Sequence, residues 1–193
     1  MSMETRRLPE LGGHVICGLS ELAAAPFAAV DRVISIISPG APVPDEVVAS
    51  GKPYLAFRFD DTIRVGDGEP PGEHHVRTLL YFAAAGPPDE RLLVHCTAGI
   101  SRSSAALAVV LASRFPDIDD EIFAEIRAIR SRAWPNSRIV EFGDALLGRG
   151  GRLTAALKRH YEVQVRHPEL GGMFRMFARE AEIPKTWDDV EDV

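Results

Sequence analysis

The sequence predicts an α/β fold: a three-layer sandwich whose mostly parallel central sheet of about four to five strands is flanked by helices. Three observations predict it. Short β-branched runs alternate along the chain with longer stretches of helical periodicity. Gly, Pro and Asp clusters punctuate the boundaries between them. The 193 residues are 46% hydrophobic and 26% charged, which suits one soluble unit with a full core.

The elements follow in order. His14 to Leu19 reads as a first strand, and Ser20 opens a short helix that runs through Ala29. Arg32 to Ile37 is a β-branched run and reads as a buried strand, stopped by Ser38-Pro39-Gly40. Pro44 to Val48 reads as a brief helix with Pro and acids in its first turn. Tyr54 to Phe59 is the next strand, followed by a polar loop from Asp60 to Pro71. A helix runs from about Gly72 to Ala85 and stops at Pro87-Pro88. Arg91 to Val94 reads as a buried strand, and Ser104 to Ala112 as a buried helix closed by Pro116. Asp119 to Arg130 places Ile122, Phe123, Ile126 and Ile129 at helical spacing. Another helix spans roughly Arg138 to Leu147, and Gly148-Arg149-Gly150-Gly151 breaks the pattern. Leu153 to Val165 and Gly172 to Ala181 read as helices, and the acidic end, Trp187 to Asp192, as a frayed tail.

A formal net charge of -6 lacks the basic bias of a general nucleic-acid binder. No apolar run approaches the ~20 residues of a membrane span. Met1 to Gly13 has no apolar signal-like core. The two cysteines, Cys17 and Cys96, form no disulfide framework. A cytoplasmic, reducing location is the expectation. The oligomeric state is not legible.

The stretch that carries chemistry is His95-Cys96-Thr97-Ala98-Gly99-Ile100-Ser101-Arg102-Ser103. It joins a predicted strand to a predicted helix through small residues. Backbone N–H groups and the positive end of a helix dipole converge at such a junction and bind anions. A cysteine there is favoured as thiolate, the form that attacks phosphorus. Gly99 lets the backbone turn its N–H groups inward. A cation is unfavourable at a helix N-terminus unless an anion partners it, so Arg102 reads as a bidentate clamp on phosphate oxygens. Thr97, Ala98, Gly99, Ile100 and Ser101 would line the phosphate with backbone amides. Ser103, beside the sulfur, would steady a departing thiolate. His95 reads as a structural residue that holds the loop through its ring nitrogens. Cys17 reads as a core thiol.

The segment resembles the signature loop of the cysteine-dependent protein tyrosine phosphatases, His-Cys-five residues-Arg-Ser/Thr. The ending Gly99 to Ser103, and the run Val33 to Pro39, look most like the small dual-specificity-like, bacterial-type branch. The resemblance covers about Gly13 to Leu147. It implies a phosphatase-like sandwich and a catalytic domain over residues 13–147, while residues 148–193 read as a C-terminal helical extension with an acidic tail, packed on the same domain. It implies a phosphomonoester hydrolase that works through phosphocysteine without metal or cofactor. The partner would be a phosphorylated protein or a small phosphomonoester.

Expulsion of an alkoxide or phenoxide needs a proton from a carboxylic acid on the leaving-group side. In the resembled family this acid is an aspartate after a strand upstream of the nucleophile. Asp60 and Asp61, 36 and 35 residues before Cys96, both fit, and Asp61 fits the pattern better. Asp67 is a weaker candidate in a Gly-flanked turn. The same carboxylate would later activate water. In similar phosphatases an Asn placed like Asn136 braces the signature loop, and a helix N-cap is an equal reading. Arg130, Arg132 and Arg138 read as solvated faces in preference to a positive rim. Adjacent His74 and His75 point apart on a helix and give no metal set.

Phosphotyrosine protein is the favoured substrate, with dual specificity open. No Lys or Arg lies inside the loop, which disfavours a phosphoinositide without removing it as an alternative. A non-catalytic phospholigand-binding module and a rhodanese-like sulfurtransferase are the competing classes.

Overall fold

The computed structural model describes residues 11–166 and Glu182. Its sheet has four parallel strands: β1 (Val15–Gly18), β2 (Arg32–Ile37), β3 (Tyr54–Arg58) and β4 (Leu92–Cys96), in the order β1-β4-β2-β3. The helices are α1 (Asp45–Ala49), α2 (Glu73–Ala84), α3 (Arg102–Arg114), α4 (Asp119–Ile129), α5 (Ser137–Leu146) and α6 (Arg152–Val165). The expected α/β sandwich is therefore the observed one. The readings on Gly172 to Ala181 and on the acidic tail lie outside the described residues.

Alternation along the central strands sorts side chains between two cores. Leu92, Val94 and Cys96 face the larger cluster with α3, while Leu93 faces the smaller one with Val33, Leu22 and Val47. β4 sits between β1 and β2 and is buried along its whole length, so its apolar run is continuous. The chain leaves β1 for β2 and β3 before returning to fill the gap at β4. The carboxyl end of β4 thus lies where the strand order switches, the usual ligand position in open parallel sheets.

α3 covers the sheet and is buried at every position from Arg102 to Ala112. Its small residues let neighbours come close. A Cβ on Gly143 of α5 would lie 2.5 Å from a Val109 methyl, so glycine is needed where these two helices meet. α3 ends at Phe115, held extended by the following Pro116. Leu153, Ala156, Leu157 and Tyr161 of α6 join the same core as α3.

One element differs from expectation. The helix predicted over Ser20 to Ala29 is two 3-10 segments, Leu19–Ala24 and Phe27–Ala29. Pro26 is the reason: it offers no N–H, and it forces Ala25 into extended backbone.

Two of the buried histidines, His14 and His160, lie away from the loop after β4, and each is held neutral. The His14 Nδ1 accepts the Leu92 N–H at 3.0 Å, and burial, helped by the Arg114 and Arg91 charges, lowers its pKa to about 4. His160 lies between the Arg127 guanidinium and the Ala133 carbonyl, each 3.0 Å away. Burial first, then the Arg127 charge, lowers it to about 3. Both bind protons more readily unfolded, where the pKa is about 6.5. Stability is therefore flat above that pH and falls as pH drops from 6.5 toward 4. At pH 5 each histidine costs on the order of 2 kcal/mol. Urea midpoints at pH 7.5 and 5.0 test this: a clear drop is expected, smaller in His160→Asn, and equal midpoints would contradict it.

Candidate active site

Cys96 is the last residue of β4 and is only 2% exposed. The five peptides that follow it share one property: every carbonyl is held from outside the loop. Thr97 O accepts the Leu19 N–H at 3.1 Å. Ala98 O and Gly99 O accept Nη2 and Nε of Arg130 at 3.2 and 3.0 Å. Ile100 O accepts the Trp134 N–H at 3.0 Å, and Ser101 O the Asn136 N–H at 3.2 Å. In a trans peptide the N–H points opposite to the C=O. The amides of Ala98, Gly99, Ile100, Ser101 and Arg102 are thereby turned away from these donors, toward the inside of the loop. The start of α3 adds its dipole. The result is an anion-binding concavity above the Cys96 sulfur.

Two glycines permit the turn. Gly99 has φ +66°, and a Cβ there would lie 2.4 Å from the Cys17 carbonyl carbon. Gly18, at the end of β1, lies against the Ala98 carbonyl from the other side.

Arg102 is 4% exposed. Its Nη1 donates to Phe59 O at 2.7 Å, and its Nη2 to the Thr97 hydroxyl at 2.8 Å. Its buried Nε–H has no partner among the described residues. The guanidinium is fixed by these two bonds with donor capacity left over. The Ser103 hydroxyl lies 3.3 Å from the Cys96 sulfur.

The two candidate acids separate. Asp60 closes its own loop: its N–H donates to Glu69 O at 2.7 Å, and its Oδ2 accepts the Glu69 N–H at 2.9 Å. Asp61 reaches the signature loop. Its Oδ1 accepts the Ser101 hydroxyl at 2.8 Å and the Asn136 Nδ2 at 2.9 Å. Asn136 does both jobs read from the sequence. It caps α5 through Oδ1 to the Ile139 N–H at 3.2 Å, and it ties the signature loop to Asp61. Asp67 lies in the exposed turn closed by the Gly66–Gly68 bridge.

Three side chains were misread or missed. Arg130 and Arg138 are not solvated faces. Arg130 forms a two-bond pair with Glu21, both bonds 2.9 Å, besides holding Ala98 and Gly99. Glu21 also takes the Gly18 N–H. The Arg130 guanidinium and that N–H hold the Glu21 carboxyl below its ordinary value. Arg138 donates to Pro71 O at 2.8 Å and to Ile63 O at 3.5 Å, pinning both sides of the Asp61 loop. No spacing signal in the chain joins Glu21 to a residue so far away, and the carbonyl acceptors carry no sequence signature.

His95 is corrected in detail. It is fully buried, but neither ring nitrogen makes a hydrogen bond of ordinary geometry among the described residues. Burial lowers it to about 4, so the ring is neutral. Cys17 is in the smaller core, on the sheet face opposite Cys96. Burial first, then the Glu21 charge, pushes its thiol up to about 11. His75 accepts the Gly72 N–H at 3.0 Å and packs on Phe57 and Phe59, so it caps α2. Among the described residues no His, Cys, Asp or Glu cluster could hold a metal ion. No helix of the described residues is long and apolar enough to cross a membrane.

No protein-family model and no curated protein matches the chain. Solved structures do. PTPMT1 in complex with PI(5)P matches with a TM-score of 0.53 at 19% identity, covering 72% of this chain and 96% of its own. DUSP15 matches with 0.53 at 20%, covering 81% and 94%. Tk-PTP in its active form matches with 0.52 at 19%, covering 77% and 99%. With the parallel four-stranded sheet, the loop after β4 and α3 behind it, the chain has the fold of the small dual-specificity-like cysteine phosphatases.

Proposed function

We propose that this protein is a phosphomonoester hydrolase that works through a phosphocysteine and acts on phosphotyrosine-bearing proteins. The observation that carries the proposal is the outward tethering of five successive loop carbonyls around Cys96. Inward-turned amides suit a tetrahedral dianion, and the fold shared with PTPMT1 and DUSP15 supports the same reading.

In the first step the Cys96 thiolate attacks phosphorus as the P–O bond to the substrate oxygen breaks. The loop amides and the Arg102 guanidinium take the non-bridging oxygens, whose charge is greatest in the transition state. Asp61 supplies the proton to the leaving oxygen. Its Oδ1 accepts the Ser101 and Asn136 donors, which orient the carboxyl for that transfer. In the second step the Asp61 carboxylate takes a proton from water as the water oxygen attacks phosphorus. The P–S bond breaks, and sulfur leaves as a thiolate that accepts a hydrogen bond from the Ser103 hydroxyl, which keeps its proton. Neutral, buried His95 moves no proton in this scheme.

The loop interior holds no Lys or Arg, which favours a phosphotyrosine peptide over a more highly charged inositol phosphate. Turnover of the two substrates, compared directly, decides between them. A cytoplasmic location accords with the need for a reduced thiol.

The catalytic assignment is tested on a phosphotyrosine peptide. Cys96→Ser should abolish turnover while keeping phosphopeptide binding. Asp61→Asn should lower kcat by about 10²–10⁴. The wild-type rate should peak at mildly acidic pH, since the first step needs a thiolate and a protonated acid together. The alkaline limb should vanish in Asp61→Asn. Residual turnover in Cys96→Ser, or a wild-type profile in Asp61→Asn, would refute the scheme.

The bracing of the loop is tested at Arg130. Arg130→Lys cannot span two carbonyls and a carboxylate, so kcat/KM and vanadate affinity should each fall about tenfold. Unchanged vanadate binding would show that the loop holds its shape without this side chain.

A further inference from the structure

We infer that Glu182, outside residues 13–147, is a positioning residue for proton transfer: its carboxylate fixes the turn that aims Asn136 at Asp61. The inference rests on Asp61 being the proton donor of the proposed reaction.

Glu182 is 3% exposed. Its Oε2 accepts the Trp134 indole Nε1–H at 3.0 Å, and its Oε1 accepts the Ser137 backbone N–H at 2.8 Å. These two donors flank Asn136. Between them, the Asn136 backbone holds Ser101 O, and its Nδ2 holds Asp61 Oδ1. The Trp134 backbone N–H holds Ile100 O. Glu182 therefore clamps both ends of the turn whose middle touches the acid and the anion loop.

The chemistry suits a carboxylate. Ser137 is the first residue of α5, and its N–H has no acceptor within the helix. Asn136 satisfies a second of these helix-start amides through the Ile139 N–H. A negative group at that end is also favoured by the helix dipole. Trp134 is buried and stacked on Tyr161 at 4.4 Å between ring centroids, so its indole N–H needs an internal acceptor. The Tyr161 hydroxyl donates to Pro135 O, which holds the far side of the same turn. Movement at the turn transmits to Asp61 because Asn136 is itself fully buried and joined to it directly.

A stabilising contact and a positioning one differ in leaving-group dependence. 4-Nitrophenolate departs without protonation, whereas phenolate needs the acid. Steady-state rates on 4-nitrophenyl phosphate and phenyl phosphate should be measured for the full chain and for Glu182→Gln, Glu182→Ala and Trp134→Phe, with Asp61→Asn as reference. Glu182→Ala should lose about tenfold in kcat on phenyl phosphate but less than about twofold on 4-nitrophenyl phosphate, with KM unchanged. Glu182→Gln, which keeps one carbonyl acceptor, should fall between, as should Trp134→Phe. Equal losses on both substrates, or none, in variants whose circular dichroism matches the wild type would overturn the inference. Where Glu182→Ala does not fold, Glu182→Gln and Trp134→Phe decide. An Asp61→Asn variant without leaving-group dependence would overturn the acid assignment, and this inference with it.

Discussion

The outward pull on the loop after β4 is the constraint from which the site follows. A peptide that gives its carbonyl to a neighbour must turn its N–H the other way. Five consecutive peptides do so here, and their donors are four residues from three separate parts of the chain: Leu19, Arg130, and the pair Trp134 and Asn136. The loop does not choose its shape alone. The 3-10 segment after β1 supplies Leu19, the end of α4 supplies Arg130, and the turn before α5 supplies the other two. Each of those elements is in turn fixed by the sheet or by α3. The concavity is a property of the fold.

The same logic explains why the buried charges differ in kind. Glu90, 3% exposed, is paired with both Arg32 and Arg114, and the Arg32 guanidinium covers the Phe82 ring at 3.4 Å. Arg149 and Asp119 likewise pair at 3.3 Å. In these clusters each desolvated charge meets its opposite, and removing one partner would be strongly destabilising. Their work is structural. They tie β2 to α3, and the end of α5 to the start of α4, at positions remote from the loop after β4.

Legibility in the sequence followed physical locality. Strands and helices set by periodicity over neighbouring residues were readable: Arg32–Ile37 is the strand as predicted, and α2, α4 and α6 fall within a few residues of their predicted bounds. The 3-10 segments before β2 were misread because Pro26 interrupts a composition that otherwise favours a helix. Cys96, Arg102 and Ser103 were readable as site candidates because they lie within one loop. The choice between Asp60 and Asp61 was not, since adjacent residues differ only in where the chain turns them. Arg130 and Arg138 were the hardest. A guanidinium that holds backbone carbonyls leaves no pattern, because every residue has a carbonyl to offer. Glu182 belongs with them, its partners an indole and a backbone amide far back along the chain.

Arg102 stands apart from the paired charges. Its guanidinium is as buried as Glu90, yet its bonds go to a carbonyl and a hydroxyl, and it makes no ion pair with the described residues. Desolvating a cation without a counter-ion costs several kcal/mol. The chain as a whole carries six more acidic than basic residues, so a carboxylate partner was compositionally available. Placing one there would quench the cation and fill the concavity. Glu21, joined to the loop through Arg130, is instead bonded to Arg130 and the Gly18 N–H, while Asp61 meets the loop at the Ser101 hydroxyl. The arrangement keeps positive potential inside the loop and its neutralising carboxylate outside it. In the proposed reaction an arriving phosphate dianion would supply the missing charge and offset the cost of burying Arg102 at the moment of binding.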